Sequence, residues 1–383
     1  MKRLRSGYTT GACATAAAKG AALMLREQRL IGAVELTLPR GETAHFPLQG
    51  QVFSATEAAC FVVKDAGDDP DITNGAKIHA SVFFGPAEGA VPVTIFGGVG
   101  IGRVTKPGLA VAPGEWAINP VPRRMITDEL LTIFPPHASR LTSHALPIIP
   151  HVTISIPNGE LLAKKTLNAR LGIIGGLSIL GTTGIVRPIS AQAWTDTIDA
   201  AIDVALACGC EAVVLSTGRT SELVVQRFLS SPLIQNAPFP LLGEGQGGLE
   251  LSENTAFPEE AFVMMGDHVG HALRSCARKG VTRLILAGQF AKLLKIACGH
   301  EQTHVSSSEL DLTTLAGWQE LETSVLPLKT AVTARGVLEA SGNDQELISI
   351  VCKRAQRFAS ALAPGVELKV LLAGYGGEVL YFA

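Results

Sequence analysis

The sequence predicts a mixed α/β protein of two domains, the first α+β and the second built on a parallel sheet. The chain has 383 residues, which exceeds what one hydrophobic core usually serves. From about residue 190 onward, strand, loop and helix alternate repeatedly, a pattern typical of a doubly wound, Rossmann-like sheet. We place the domains at residues 1–165 and 166–383. The tail from about residue 330 either completes the second domain or returns to the first.

The composition indicates a compact chain from a reducing compartment. Apolar residues make up 47% and charged residues 17%, which allows large cores and argues against disorder. The net charge of −2 gives no general basic surface for nucleic acid, and no uncharged apolar run has the roughly 18 residues of a membrane helix. Seven cysteines without a CxxC pair indicate buried thiols. The basic N-terminus lacks a leucine-rich signal core. We expect a cytoplasmic protein that binds neither nucleic acid nor a membrane.

A polar loop opens the chain and leads into an alanine-rich helix that ends near Arg29. Unpaired amides and the helix dipole make such a loop a natural seat for an anion. An N-cap with nothing bound is the alternative, but the density of hydroxyl groups favours a ligand. The candidate ligand-binding residues of this loop are Ser6, Tyr8, Thr9 and Thr10.

Strand-like runs at 33–38 and 51–63 precede an acidic turn, KDAGDDPDITNG, at 64–75. Four aspartates in seven positions can coordinate Ca²⁺ or Mg²⁺ or lie in solvent, although the EF-hand pattern is absent. One of them could instead serve a site as a base or an acceptor. The candidates for that role are Asp65 and Asp68.

Alternating residues predict strands at 80–84 and 91–96, followed by a glycine- and proline-rich segment at 97–126. Its glycines resemble a dinucleotide fingerprint, but Pro107 and Pro113 prevent the helix that the fingerprint requires. The segment concentrates basic residues and has only one acid, which suits an anionic ligand, carboxylates in particular. A solvated surface is the alternative. The basic residues are Arg103, Lys106, Arg123 and Arg124.

A helix and a proline-rich connector are expected at about 127–150 and a strand at 151–156. The stretch 166–188, TLNARLGIIGGLSILGTTGIVRP, then carries five glycines without a charge between Arg170 and Arg187. Short apolar bursts favour two or three strands joined by tight turns, because each glycine costs a helix about 1 kcal/mol. We expect the stretch to line a cleft at the domain junction, although a corner that only packs is possible. Its candidate ligand contacts are Gly175, Gly176, Thr182 and Thr183.

Three strand–loop–helix units follow, with strands at 211–215, 261–265 and 282–287. In parallel sheets, ligands bind beyond the carboxyl ends of the strands. The residues that fall there are Ser216, Thr217, Gly218, Arg219, Gly266 and Asp267. The tail predicts helices at 331–340 and 345–362 and strands at 367–372 and 378–382.

The pentapeptide HEQTH at 300–304 matches the zincin signature HExxH. That site requires both histidines on one face of a helix, with the glutamate as general base. Gly299 ends the preceding helix and VSSS follows the motif. A metal-dependent hydrolase is therefore an alternative that the flanking sequence does not favour.

Several segments are similar to the cobalt-precorrin-5B C1-methyltransferase (CbiD) family of anaerobic cobalamin biosynthesis. They include LRSGYTTGACATAAAKGA, KDAGDDPDITNG, GGVGIGRVTKPGL, EWAINPVPRRMI, the stretch IPNGELLAKKTLNARLGIIGGLSILGTTGIVRPIS, LSTGRTSE and the KLLK…THVSSS region. The similarity extends from Leu4 to about Asp311. One departure is Ala291 before Lys292, where the family is expected to have glycine.

The resemblance implies methylation of ring carbon C1 of cobalt-precorrin-5B by S-adenosylmethionine to give cobalt-precorrin-6A, with cobalt present only in the substrate. The anionic tetrapyrrole would be held by the basic residues of the first half, and the methyl donor by Ser216–Arg219 and Asp267. A base, if used, would be Asp65 or Asp68. His304 could approach the cobalt or simply pack. A non-catalytic corrinoid-binding protein remains an alternative, and the oligomeric state is not predicted.

Overall fold

A computed structural model describes residues 4–87, 90–135, 148–188, 190–231, 257–308, 312–318 and 333–383. The chain forms two compact units, residues 1–191 and 192–383. The division therefore falls later than the sequence suggested, because the strands of the glycine-rich stretch pair within the first unit. The predicted connector at 136–147 lies outside the described residues. No helix in the described ranges is long and apolar enough to cross a membrane.

The first unit combines an antiparallel framework with one deeply buried helix. Its elements are β1 (Gly7–Tyr8), α1 (Thr10–Glu27), β2 (Ala33–Thr37), β3 (Thr43–Pro47), β4 (Gln49–Phe53), β5 (Glu57–Val63), β6 (Lys77–Pro86), β7 (Thr94–Gly97), β8 (Arg103–Val104), α2 (Pro120–Ile133), β9 (Ile148–Ser155), α3 (Gly159–Ala163), β10 (Ile173–Ile174) and β11 (Ile185–Val186).

A five-stranded sheet in the order β4-β5-β6-β9-β7 carries this unit, and only the β7–β9 pair is parallel. Helix α1 packs on β5 and β6 and against α2. It is buried almost all round, because its alanines and glycines let neighbouring backbones approach closely. The single strand predicted at 51–63 is a hairpin instead. Ser54 breaks it, since its hydroxyl accepts hydrogen bonds from the amides of Thr56 and Glu57.

The glycine-rich stretch forms short strands and no helix, as predicted. Strand β10 pairs with β8 and strand β11 pairs with β1, both antiparallel. The stretch thereby connects the N-terminal loop to the glycine- and proline-rich segment of the same unit.

The second unit is a sheet covered by helices. Its elements are α4 (Ala191–Ala207), β12 (Val213–Ser216), α5 (Arg219–Leu229), β13 (Phe262–Met264), α6 (Val269–Lys279), β14 (Arg283–Gln289), α7 (Phe290–Ala297), α8 (Leu312–Ala316), α9 (Ala334–Ala340), α10 (Gln345–Leu362), β15 (Glu367–Ala373) and β16 (Val379–Phe382).

The strand order is β13-β12-β14-β15-β16, with the first four parallel and β16 antiparallel. Val213 and Leu215 belong to a core shared with α4, α6, α7 and α10, whereas Val214 packs with Val224 and Val225 of α5. Helices therefore cover both faces of the sheet. The described part of the tail, 333–383, completes this unit. Strands β13 and β14 lie on opposite sides of β12, and such a reversal opens a crevice at the carboxyl ends of the strands.

Candidate functional site

The N-terminal loop is hydrogen-bonded to the glycine-rich stretch. The amide of Thr9 donates to the carbonyl of Gly184 (3.0 Å), and that of Gly11 to the carbonyl of Leu180 (3.0 Å). The amide of Leu180 donates to the hydroxyl of Thr10 (3.0 Å), while Thr9 caps α1 with its own hydroxyl. The hydroxyls of Thr9 and Thr10 and the amides of Thr9 and Gly11 therefore already have partners. The loop forms an N-cap built into a packed seam, and an anion seat at this loop stays a prediction.

The predicted bases Asp65 and Asp68 bind the chain just before that loop. The guanidinium of Arg5 forms a two-pronged ion pair with Asp65, and the amide of Arg5 donates to Asp68 (2.6 Å). The hydrogen bond from Arg5 lowers the pKa of Asp65 below its usual value. Both carboxylates therefore hold the segment before the loop in place, and their assignment as bases stays a prediction. Ser6 bridges to Gly67, and the amide of Tyr8 donates to the Asp65 carbonyl (2.7 Å).

The acidic turn also contains a buried ion pair. The ammonium of Lys64, whose side chain is 1% exposed, lies 2.6 Å from Asp71. The other oxygen of Asp71 accepts from the amide and the hydroxyl of Thr73 (2.7 and 2.6 Å). The described residues contain no group of three side chains arranged to hold a metal ion. The turn is therefore held by Arg5 and Lys64, which supply the positive charge that its aspartates need.

Of the predicted basic residues, Arg123 is committed to the backbone. It donates to the carbonyls of Ile118 (2.7 Å) and Trp116 (3.1 Å) and lies 3.5 Å from Glu115. These bonds fasten the segment before α2 to the helix itself. Arg123 therefore has a structural explanation that requires no ligand.

Arg103 and Lys106 lie at the small β8–β10 ribbon. The Arg103 guanidinium stacks 3.9 Å above the Trp116 ring and donates to the carbonyl of Gly114 (2.6 Å). The Lys106 ammonium donates to the carbonyl of Arg170 (3.3 Å). The pairing of β8 with β10 places Arg103 opposite Ile174. The ribbon thus brings the glycine- and proline-rich segment and the glycine-rich stretch together.

The predicted contacts of the glycine-rich stretch separate into packed and open positions. A Cβ on Gly176 would lie 2.2 Å from the carbonyl oxygen of Gly100, so this glycine allows two backbones to touch. Gly175 is exposed, has φ of +86°, and has nothing within 4 Å of a Cβ. Thr183 closes a turn by accepting from the amide of Ile185 (3.2 Å), and Thr182 is exposed.

In the second unit, the carboxyl end of β12 meets the predicted loop. The hydroxyl of Ser216 is completely buried and has no hydrogen-bond partner among the described residues. The amide of Thr217 donates to the carbonyl of Ala287 on the neighbouring strand β14 (3.0 Å). Gly218 immediately precedes α5, and Arg219 pairs with the buried Glu222 (3.2 Å). The loop therefore lies at the point where the strand order reverses.

Asp267 follows β13 at the same edge and is held in place by two residues. Its Oδ1 accepts from the Lys292 ammonium and from the buried hydroxyl of Thr303 (2.6 Å). Burial acts to raise the pKa of Asp267, but these hydrogen bonds outweigh it and the pKa is lowered. Both hydrogen bonds go to Oδ1. They fix the orientation of the carboxylate, and neither of them uses Oδ2. Lys292 and Lys295 also donate to the carbonyl of Thr303 (3.1 and 3.0 Å).

Trp194 lies beside this carboxylate. Its indole nitrogen donates to the carbonyl of Met265 (3.2 Å), and its ring stacks with His268 at 28°. A Cβ on Gly266, which has φ of +58°, would lie 3.2 Å from the indole, so glycine is what lets the ring lie against the loop. Trp194 is nevertheless 45% exposed. The result is a fixed aromatic ring against the loop that carries Asp267.

Sequence reasoning missed Trp194, Lys292 and Thr303 as site residues. The segment with Lys292 and Thr303 was among those that carry the family resemblance, which is a signal that could have drawn attention to them. A tryptophan near the start of an amphipathic helix is ordinarily core, so Trp194 gave no such signal.

The HExxH alternative is wrong, because residues 300–304 form a loop. Glu301 makes a two-pronged ion pair with Arg274, and the Gln302 side chain hydrogen-bonds to His268 (2.7 Å). His304 is exposed and hydrogen-bonds to Ser306 (2.7 Å). The motif therefore lacks the helix that would turn both histidines toward one zinc ion.

Comparisons with known proteins agree with the resemblance. A family model described as CbiD matches residues 1–188. The cobalt-precorrin-5B C(1)-methyltransferase of Geobacter metallireducens is 61% identical, covering 100% of this chain and 99% of that protein; that of Geobacter sulfurreducens is 60% identical with the same coverage. A solved structure, a cobalamin biosynthesis protein (cbiD) from Archaeoglobus fulgidus, is 26% identical over 76% of this chain and 79% of its own, with a TM-score of 0.36.

A mixed α/β chain with relatives of this name is an enzyme of the methyltransferase class. It belongs to the CbiD family, the cobalt-precorrin-5B C(1)-methyltransferases of cobalamin biosynthesis.

Proposed function

We propose that the protein transfers a methyl group from S-adenosylmethionine to ring carbon C1 of cobalt-precorrin-5B, giving cobalt-precorrin-6A. The observation that carries this proposal is the 61% identity, over the whole chain, to a relative of that name. The reaction class supports S-adenosylmethionine as the donor, and the cobalt would belong to the substrate.

When bound, S-adenosylmethionine supplies an electrophilic methyl group on a positively charged sulfur. Attack on such a group is an in-line displacement, so the residues contribute mainly by positioning the reactants and excluding water. No strong base is required of the chain, because the electron-rich macrocycle is the nucleophile. The engagement of Asp65 and Asp68 with Arg5 is consistent with this role for the protein.

For the donor, we propose the Rossmann-like edge of the second unit. Asp267 would accept hydrogen bonds from the ribose hydroxyls through Oδ2, while Lys292 and Thr303 donate to its other oxygen, Oδ1. The exposed Trp194 ring would stack on the adenine. The loop Ser216–Arg219, with the unpartnered Ser216 hydroxyl, would take the methionine portion.

Replacing Asp267 by alanine should weaken S-adenosylmethionine binding about 10- to 100-fold, since a hydrogen bond to a charged group contributes about 1.5–3 kcal/mol. Isothermal titration calorimetry measures the affinity. Asp203→Ala is the matched control, because Asp203 also pairs with a lysine of this unit, Lys279, but lies outside the proposed site. Unchanged affinity in Asp267→Ala would remove Asp267 from the donor site.

Titration with S-adenosylhomocysteine should quench the fluorescence of Trp194. Trp194→Phe should abolish the quench, and Trp194→Ala should also weaken binding about 10-fold or more, as expected for a lost base–aromatic stack. Trp318→Phe is the control, because Trp318 belongs to the same unit and is only 8% exposed. Quenching that persists in Trp194→Phe would place the adenine elsewhere.

The reaction itself is tested with cobalt-precorrin-5B and isotopically labelled S-adenosylmethionine. Mass spectrometry should find one labelled methyl group in the product, together with S-adenosylhomocysteine. A tetrapyrrole that binds but gains no methyl group would instead indicate a non-catalytic corrinoid-binding protein.

A further inference from the structure

Three large apolar side chains of the first unit are exposed around a cluster of touching glycines. Val99 is 71% exposed, Leu161 64% and Ile174 52%. Each lies within two residues of a glycine that packs against another glycine backbone. We call Gly100, Gly159 and Gly176 the glycine platform.

Close backbone contact makes the platform rigid. A Cβ on Gly159 or Gly176 would lie 2.1 or 2.2 Å from the carbonyl oxygen of Gly100. The amide of Leu177 donates to that same carbonyl (2.9 Å), and the amide of Ile156 donates to the carbonyl of Val99 (2.8 Å). The chain thus holds apolar side chains in water on a fixed framework, an arrangement typical of a binding surface.

Positive charge surrounds these side chains. Arg103 lies opposite Ile174 across the β8–β10 ribbon, and Lys106 reaches the carbonyl of Arg170. Lys164 and Lys165 follow α3 directly and are exposed. Segments 97–110 and 159–176 together contain five basic residues, with Glu160 as their one acidic residue.

We propose that this surface is where the tetrapyrrole docks. The apolar side chains Val99, Leu161 and Ile174 contact one face of the macrocycle, and the surrounding basic residues pair with its peripheral carboxylates. The inference rests on the proposed function and names the surface that serves it. The charge pattern favours this occupant over a second copy of the chain, because a two-fold interface places the same patch on both sides and would oppose like charges.

Cobyrinic acid, a stable corrin with free carboxylates, is the probe, and its absorbance change on titration reports binding. Leu161→Ser and Ile174→Ser should each weaken binding about tenfold, because apolar contact is lost. Leu30→Ser is the matched control, since Leu30 is 61% exposed on the same unit, and it should bind as the wild type does. The double variant Lys164→Ala/Lys165→Ala should weaken cobyrinic acid binding and flatten its salt dependence. Cobinamide, whose side chains are amides, should be insensitive to that double variant.

Three results would overturn the inference. Wild-type affinity in both Leu161→Ser and Ile174→Ser would show that the macrocycle binds elsewhere. An equal loss of cobyrinic acid affinity in Leu30→Ser would show that replacing any exposed apolar side chain of the unit weakens binding. A dimer that dissociates in Leu161→Asp during sedimentation would show that the surface is an interface between copies. The proposed function fails separately: cobyrinic acid binding that depends on this surface, without methyl transfer from S-adenosylmethionine to cobalt-precorrin-5B, would refute catalysis and keep the docking surface.

Discussion

Asp71→Asn should lower the free energy of unfolding of the first unit by about 3 kcal/mol or more. Asp71 is the carboxylate that faces the Lys64 ammonium, and the Lys64 side chain is 1% exposed. Removing the negative charge leaves a buried cation without compensation, a change that costs about 3–5 kcal/mol in comparable pairs. Urea unfolding should be followed in a Trp194→Phe/Trp318→Phe background, where Trp116 alone reports on this unit.

The matched test is the double variant Lys64→Met/Asp71→Asn. It should recover most of the loss, because methionine at position 64 fills a similar volume and leaves no buried charge without a partner. A double variant as unstable as Asp71→Asn alone would contradict the charge argument.

The pH dependence gives the same explanation an independent check. Burial acts to raise the pKa of Asp71, but the hydrogen bonds from Lys64 and Thr73 outweigh it and the pKa is lowered. The carboxylate therefore contributes stability above its unfolded-state pKa of about 3.9 and loses that contribution as the pH falls through the lower folded-state pKa. The difference between wild type and Asp71→Asn should be constant above about pH 5 and shrink in stronger acid.

Local pattern was sufficient to predict the elements of the second unit. Alternation of strand and helix located β12, β13 and β14 to within a few residues, because each strand is a short apolar run ended by Gly, Ser or Thr. The mixed α/β class and the carboxyl edge of the sheet follow from that alternation alone. The boundary between the units did not follow, because the partners of β10 and β11 lie far back in the sequence.

Long-range partners that the sequence does not reveal also occupy predicted site residues of the first unit. Asp65 meets Arg5 across 60 positions, and Thr10 meets Leu180 across 170. A run of aspartates or hydroxyls looks free for a ligand when those partners are unknown. Lys292 was missed for the same reason. Its partner Asp267 lies in the loop after β13, 25 positions earlier in the sequence.

Gly100→Ala should destabilise the first unit more than the same change at any other glycine of the glycine-rich segments. Gly100 has φ of +73°, which costs a residue with a Cβ about 1–2 kcal/mol. Its Cβ would also lie 1.9 Å from the carbonyl oxygen of Ile156, so the backbone must move. The two terms together predict a loss of about 2–5 kcal/mol in urea unfolding reported by Trp116.

Gly175 and Gly176 separate these two terms. Gly175 has φ of +86° and nothing within 4 Å, so Gly175→Ala should show only the backbone cost of about 1–2 kcal/mol. Gly176 would meet the Gly100 oxygen at 2.2 Å, so Gly176→Ala should show a packing cost of about 1–3 kcal/mol. If Gly176 instead serves ligand approach, as the sequence suggested, its alanine variant would keep wild-type stability and lose only tetrapyrrole binding. A loss of about 1–3 kcal/mol in Gly176→Ala would instead assign the glycine platform a structural role. The ligand contacts of the docking surface would then be Val99, Leu161 and Ile174.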